Sequence, residues 1–130
     1  MTKPLGLAQS AKLSIIMILA LVMAGCAYMG SDGREDAKFV AVEEGGSKVW
    51  KGSSTVDLRG RSSMTLKVVN TLGADHGFSI DTMKVKEVIK ANEERTITVP
   101  AGDIDTLVRE HRVYCQLHPK HIAASLTVTK

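Results

Sequence analysis

Aromatic side chains make up only 4% of this 130-residue sequence, and the part beyond its first 25 residues carries almost no net charge. The whole chain has a formal charge of +3. Its first 25 residues hold two lysines and no acid, which leaves 15 basic and 14 acidic residues from Cys26 onward. A region so close to neutral lacks the basic surface that binds nucleic acid, so we expect no nucleic-acid partner. The length suits one small domain.

The sequence also lacks the patterns of common hydrolytic and phosphoryl-transfer enzymes. It has no serine–histidine–aspartate order, no glycine-rich phosphate loop and no close carboxylate pair apart from acids in turn-like segments. It contains no internal repeat and no low-complexity tract. These absences favour a carrier or binding protein over an enzyme.

The N-terminal segment is typical of an export signal. Lys3 and Lys12 precede an apolar run over residues 13–23, which is too short to span a membrane. The run ends in Val-Met-Ala-Gly-Cys, which resembles a bacterial lipobox in which Cys26 is acylated and becomes the mature N-terminus. A plain secretory signal or an uncleaved anchor is the alternative. In each case the folded part is expected outside the cytoplasm.

We therefore predict a lipoprotein-type signal peptide over residues 1–25, a flexible tether over 26–37 and a folded domain over 38–130. The tether is small and charged, with no hydrophobic period. The predicted location is periplasmic or otherwise extracytoplasmic, on the membrane through the N-terminal lipid anchor. Ala27 after the modified cysteine favours the outer membrane in a Gram-negative cell, following the custom of lipoproteins.

Cysteine occurs only twice, at Cys26 and Cys115. A lipid-modified Cys26 cannot form a disulfide, which leaves Cys115 as a lone thiol in an oxidising compartment. The usual reasons for such a thiol are metal ligation, redox chemistry or burial as a small apolar filler.

The domain region is dominated by short stretches of β-branched and alternating apolar residues that end at turn residues. Seven or eight such strands in a region of this size predict an all-β, Greek-key β-sandwich. Residues 83–91 place three apolar side chains at helical spacing over only two turns, so we predict a loop there with a turn of helix. The predicted strands are 38–42, 47–50, 55–58, 64–70, 77–80, 96–99, 112–115 and 125–128.

Chemistry is concentrated near the C-terminus, in the run Cys-Gln-Leu-His-Pro-Lys-His. Cys115 is predicted to end a strand, and His118 and His121 lie in the loop that follows, stiffened by a proline. His76 begins another predicted strand upstream. Thiolate and imidazole are ligands that bind copper or zinc, so we predict a metal site of these four residues at one end of the sandwich.

The same residues allow plainer interpretations. A cysteine–histidine pair at this spacing occurs by chance, so Cys115 could be core filler and His118 a solvated loop residue. Zinc is the rival metal, because four cysteine and histidine ligands also form structural zinc sites. Ligands from separate strands at one rim favour copper. The remaining histidine, His111, lies in a charged run and is predicted to be on the surface.

These residues resemble those of the cupredoxins, small copper proteins in which an upstream histidine and a C-terminal cysteine–loop–histidine bind the ion. Within that family the likeness is greatest to the red copper proteins, the nitrosocyanins, over residues 64–130, and centres on Cys-Gln-Leu-His-Pro-Lys. Cys115 and His118 match their cysteine and first loop histidine. His76 stands where they have glutamate, and His121 stands where short-loop cupredoxins have an axial methionine.

The resemblance implies one copper ion that cycles between Cu(I) and Cu(II) and transfers single electrons between redox partner proteins. No methionine follows Cys115, and an imidazole from His121 is a stronger donor than a thioether, so we expect a lowered potential and a spectrum that is not simply blue. One alternative is a small redox catalyst or sensor that binds a nitrogen oxide or oxygen species at an open copper position. Another is a copper-holding or structural zinc module. The resemblance also permits a trimer.

Overall fold

The computed structural model describes residues 34–130. The predicted signal peptide, Cys26 and most of the predicted tether lie outside the described residues. Within this range, the helices are all too short or too polar to cross a membrane.

Nine β-strands form the described part of the chain, one more than the upper end of the prediction. Two short 3₁₀ helices, Asp81–Met83 and Ala101–Asp103, lie in connections between strands. The strands are β1 (Ala37–Glu44), β2 (Ser47–Lys51), β3 (Ser53–Asp57), β4 (Ser63–Asn70), β5 (His76–Ile80), β6 (Val85–Ile89), β7 (Glu94–Pro100), β8 (Glu110–Val113) and β9 (Ala124–Thr129).

The strands pack in layers around one apolar core, which confirms the all-β fold class. One sheet has the order β2-β1-β4-β7, a second has the order β3-β9-β8, and β5 pairs with β6. A backbone bridge between Ser79 of β5 and Tyr114, just after β8, joins the second sheet to the β5–β6 pair. The pairs β1–β4 and β3–β9 are parallel, and the other strand pairs are antiparallel.

The core forms because alternate residues of each strand face inward. In β4, Met64, Leu66 and Val68 are fully buried, and the residues between them are half-buried. Phe39 of β1 and Phe78 of β5 meet across the layers with ring centroids 5.6 Å apart. The packed core fixes the position of β5, the strand that begins with His76.

Residues 83–91, predicted as a loop with a turn of helix, instead contain strand β6. Met83 ends a 3₁₀ helix, and Lys84 adopts a left-handed conformation with φ of 54° before the strand begins. Val85 and Ile89, four residues apart, are both buried, which period two explains as well as helical spacing does. Pairing with β5 decides between the two, because the hairpin supplies backbone partners along the whole strand.

An ion pair fixes the start of the folded domain. The side chain of Asp36 is only 3% exposed and accepts two hydrogen bonds from Arg61, at 2.8 and 2.7 Å. Its Oδ2 also accepts the backbone N–H of Thr65 at 2.7 Å. These bonds outweigh the cost of burial and lower the pKa of Asp36 below its ordinary 3.8.

Replacing this carboxylate should destabilise the fold. We expect Asp36→Asn to lower the free energy of unfolding by about 1–3 kcal/mol, because it weakens charged hydrogen bonds around a buried side chain. Because the folded-state pKa is lowered, the stabilisation is present above pH 3.8 and is lost as the pH falls through the folded-state pKa. Denaturant unfolding at neutral and acidic pH measures both effects.

The matched control is Asp57→Asn, which alters an exposed aspartate paired with Arg59. An exposed ion pair contributes little to stability, so this variant should unfold like the parent protein. Equal losses in the two variants, or a difference that persists at acidic pH, would contradict the role assigned to Asp36.

Candidate metal centre

The first residue of the candidate centre, His76, is placed by strand β5. All five residues of this strand are buried. His76 lies opposite Ile89 in the β5–β6 pair, and the residue is only 2% exposed. Strand β5 therefore places the imidazole of His76 in the interior of the domain.

The other three residues lie in the segment between β8 and β9, which is tied to the fold at both ends. At its start, Ser79 and Tyr114 exchange two backbone hydrogen bonds of 2.9 and 3.0 Å. At its end, Ile122 exchanges backbone bonds of 3.2 and 3.0 Å with Trp50 and Lys48 of β2. A segment held at both ends has little freedom, so the side chains between are kept in place.

Two tight turns inside that segment bring its side chains together. The N–H of His118 donates to the carbonyl of Cys115 at 3.3 Å, and the N–H of His121 donates to the carbonyl of His118 at 3.0 Å. The rings of His118 and His121 stack with centroids 4.5 Å apart, and the ring of His76 lies 4.9 Å from that of His121.

The structure brings all four predicted residues, His76, Cys115, His118 and His121, into one cluster, with one donor atom from each within 4.8 Å of every other. The sulfur of Cys115 lies 3.9 Å from Nδ1 of His76 and 3.6 Å from Nδ1 of His118. Metal–sulfur and metal–nitrogen bonds of about 2.3 and 2.0 Å place two ligands of one ion roughly 3.5–3.7 Å apart. The distance from the sulfur to His118 matches this spacing and the distance to His76 is slightly longer, so a small side-chain shift would let the three residues share one ion.

An unpaired ring nitrogen of His121 supports the same interpretation. Its Nδ1 is buried and has no hydrogen-bond partner among the described residues. Nε2 of His76 and Nε2 of His111 are also unpaired, but His76 faces the sulfur with its other nitrogen and His111 lies outside the cluster. Buried polar atoms are nearly always paired, so each exception needs an explanation. A metal ion in the cluster would supply the partner of His121.

The electrostatic surroundings keep His76 and His121 in the form that binds metal. Burial, followed by the nearby His121 and His118, lowers the pKa of His76. Burial, His118 and Lys48 likewise lower the pKa of His121. Both imidazoles are therefore neutral at neutral pH, with a nitrogen lone pair available for an ion.

Two further residues contact the centre and had no signal in the sequence. The backbone N–H of Gly77 donates to the sulfur of Cys115 at 3.2 Å, and the indole N–H of Trp50 donates to the carbonyl of Gly77 at 2.9 Å. Trp50 also packs edge-on against the ring of His76, with centroids 6.4 Å apart. Only the folded chain brings these residues, distant in sequence, together.

The prediction for His111 is wrong, because this residue is fully buried. It lies on β8, where Glu110 and Arg112 are exposed while His111 and Val113 face the core. Its Nδ1 bonds to the hydroxyl of Thr82 at 2.7 Å, and it lies outside the four-residue cluster. The alternation of the strand, rather than the surrounding charges, decides its burial.

Comparison of the sequence with protein-family models and with curated proteins finds no match. Among solved structures, a proline-to-glycine mutant of amicyanin in its reduced Cu(I) form matches with a TM-score of 0.50 and 12% identity, over 78% of this chain and 87% of that one. The likeness shows that the chain has a cupredoxin-like fold. The His/Cys/His/His cluster is thus a candidate metal site, consistent with copper, in such a fold.

Two multicopper oxidases also match, at TM-scores below that of amicyanin. The laccase-like enzyme of Ochrobactrum sp. has a TM-score of 0.46 and 18% identity, over 72% of this chain and 26% of that one. The enzyme of Campylobacter jejuni has a TM-score of 0.46 and 13% identity, over 71% and 25%. This chain spans about a quarter of each oxidase. The assignment of the cupredoxin-like fold rests on the likeness to amicyanin.

Metal binding can be followed through Trp50, the only tryptophan of the chain. Because its ring contacts that of His76, one equivalent of Cu(II) should strongly quench its fluorescence. Cys115→Ser should weaken Cu(II) binding at least about tenfold, since the thiolate is the softest of the four ligands. Fluorescence titration and elemental analysis of the loaded protein measure these effects.

The control is His111→Gln, which changes the histidine outside the cluster. This variant should bind one Cu(II) with the affinity of the parent protein, provided that its thermal unfolding shows a folded domain. Equal weakening by Cys115→Ser and His111→Gln would mean that copper binds elsewhere.

Proposed function

We propose that the protein is a mononuclear copper protein that transfers single electrons between redox partners. The observation that carries the proposal is the convergence of one thiol and three imidazoles on a point inside a cupredoxin-like fold. When bound, copper would supply the one-electron change between Cu(I) and Cu(II). His76, Cys115, His118 and His121 would hold it.

The donor set supports copper over other metals. Thiolate and imidazole together suit Cu(I), Cu(II) and zinc, whereas magnesium and calcium prefer oxygen ligands. A thiolate with two imidazoles is the donor set of copper electron-transfer sites. The likeness of the segment Cys-Gln-Leu-His-Pro-Lys to the nitrosocyanins supports placing the protein near those red copper proteins.

Differences in exposure give electrons a short route to the site. His76 and Cys115 are each 2% exposed, whereas His118 is exposed at the surface. The apolar side chains of Leu117 and Ile122 nearby are 45% and 55% exposed. A partner docked over His118 would thus reach a ligand directly, while the sulfur stays shielded from water.

His121 would set the oxidation-state preference of the site. No methionine follows Cys115, and Met83 is buried in the apolar core. An imidazole donates more strongly than a thioether and favours Cu(II) over Cu(I), so the four-ligand site should have a low reduction potential.

Removing that imidazole should raise the potential. If the His121 imidazole stabilises bound Cu(II) ten times more than bound Cu(I), His121→Ala should raise the reduction potential by about 59 mV. Each further factor of ten in this preference should add the same amount. The copper-loaded parent should show a reversible one-electron couple and an intense thiolate-to-copper absorption. Voltammetry and absorption spectroscopy of both proteins measure these properties.

The control variant is Lys120→Gln, which changes an exposed residue beside His121 in the same loop and removes no metal ligand. Its potential should stay close to that of the parent. A copper-loaded parent without either the couple or the absorption would end the electron-transfer proposal. A protein that is purified with one zinc ion and shows no redox activity would instead favour the structural zinc module.

A second candidate function, binding of a small anion such as nitrite at the metal centre, rests on a cavity. A cavity of about 300 Å³ reaches Cys115 and His121 and is also lined by Arg112, Tyr114, Gln116 and Pro119. The guanidinium of Arg112 lies 5.1 Å from the ring centroid of Tyr114 and would attract an anion. The cluster of four donors by itself favours the electron-transfer function over this second one.

Azide is a suitable probe for this second function. If an anion enters the cavity, azide should change the spectrum of the copper-loaded protein, and Arg112→Gln should weaken its binding at least about tenfold. Arg109→Gln, which removes an arginine that does not line this cavity, should leave azide binding unchanged. A copper spectrum that does not change at saturating azide would rule out anion binding at the metal centre.

A further inference from the structure

We propose that Gln116 is a positioning residue that holds the N–H of Gly77 against the sulfur of Cys115 and thereby tunes the metal–thiolate bond. The tuning part rests on the proposed copper function. The positioning part concerns the protein alone and can be tested without metal.

The side chain of Gln116 ties the metal-binding segment to both strands of the β5–β6 hairpin. Its Oε1 accepts the hydroxyl of Ser79, on β5, at 2.8 Å. Its Nε2 donates to the carbonyl of Glu87, on β6, at 2.8 Å. Both ends of the amide are therefore bonded, which fixes the side chain between the strands.

This fixed amide lies directly over Gly77. A Cβ at position 77 would overlap the side-chain amide of Gln116 and would lie 2.8 Å from its backbone nitrogen. Only glycine lets the two segments approach so closely. The contact restricts the backbone of Gly77, and the indole N–H of Trp50 restricts it further by donating to the Gly77 carbonyl.

The backbone N–H of the residue held in this way donates to the ligand sulfur. The N–H of Gly77 lies 3.2 Å from Sγ of Cys115 and is buried. A hydrogen bond to a thiolate withdraws electron density from the sulfur, and hydrogen bonding around the cysteine sulfur is one of the controls on the potential of copper–thiolate sites. Gln116 would thus act on the metal through Gly77, without touching it.

The test is Gln116→Met, which keeps a long side chain but removes both hydrogen bonds. In the metal-free protein, the Gly77 amide should exchange with solvent about three- to tenfold faster, because the net worth of a hydrogen bond is about 1 kcal/mol. In the copper-loaded protein, the thiolate-to-copper band should move to longer wavelength and the potential should fall. Residue-resolved hydrogen exchange, absorption spectroscopy and voltammetry measure these changes.

The matched control is Arg95→Gln, which breaks the ion pairs of Arg95 with the side chains of Glu87 and Glu93. This change also loosens β6 but does not reach Gly77, so it should leave the exchange of Gly77 and the absorption band unchanged. If the methionine variant does not fold, Gln116→Glu replaces it, because the carboxylate cannot donate to the carbonyl of Glu87.

The outcomes separate this proposal from the copper function. Unchanged Gly77 exchange in a folded Gln116 variant would overturn the positioning role. Faster exchange with an unmoved copper band would overturn the tuning role. If no thiolate-to-copper band forms even in the parent protein, the copper function fails, while faster exchange of the metal-free variant still supports the positioning of Gly77.

Discussion

Two backbone hydrogen bonds between Ser79 and Tyr114 hold the strand that begins with His76 beside the segment that carries Cys115. Continuing this antiparallel register by two residues brings Gly77 opposite Gln116, which agrees with their close contact. The sulfur then lies within reach of the Gly77 amide and of the His76 ring. The centre thus lies where the pairing of β5 with the Cys115 segment continues beyond the sheet. Because these segments are anchored in the packed core, the positions of the ligands are held as firmly as the core itself.

Sequence patterns predicted eight of the nine strands and all four members of the cluster. The strands can be predicted because the alternation of apolar and polar residues is a local pattern, as in β4, where every second residue is buried. Most of the cluster can be predicted because Cys115, His118 and His121 lie within one short segment that follows a strand. His76 is distant in sequence, and its place beside Cys115 was inferred from donor chemistry and the family resemblance together.

What the sequence did not predict depends on contacts between distant segments. Strand β6 differs from the prediction because Val85 and Ile89 satisfy helical spacing as well as strand alternation, and only pairing with β5 separates the two. His111 differs because its charged neighbours indicate a surface position, whereas the strand turns its side chain to the core. The contacts of Trp50 and Gln116 with Gly77 are not predictable from a sequence pattern. A glycine is compatible with a close approach of another segment, but it does not indicate which residue makes that approach.

The contrast between His76 and His111 shows what makes a buried histidine a ligand. Both are nearly or fully buried on strands, and burial is the largest influence that lowers the pKa of each. Nδ1 of His111 bonds to the hydroxyl of Thr82, its Nε2 is buried and unpaired among the described residues, and the cluster of donors does not include it. His76 instead lies beside a thiol and two imidazoles, with one donor atom of each of the four residues within 4.8 Å of every other. Since His111 also has an unpaired nitrogen, the feature that distinguishes the candidate centre from ordinary packing is the convergence of several metal-binding atoms on one place, rather than burial, residue type or a single unpaired atom.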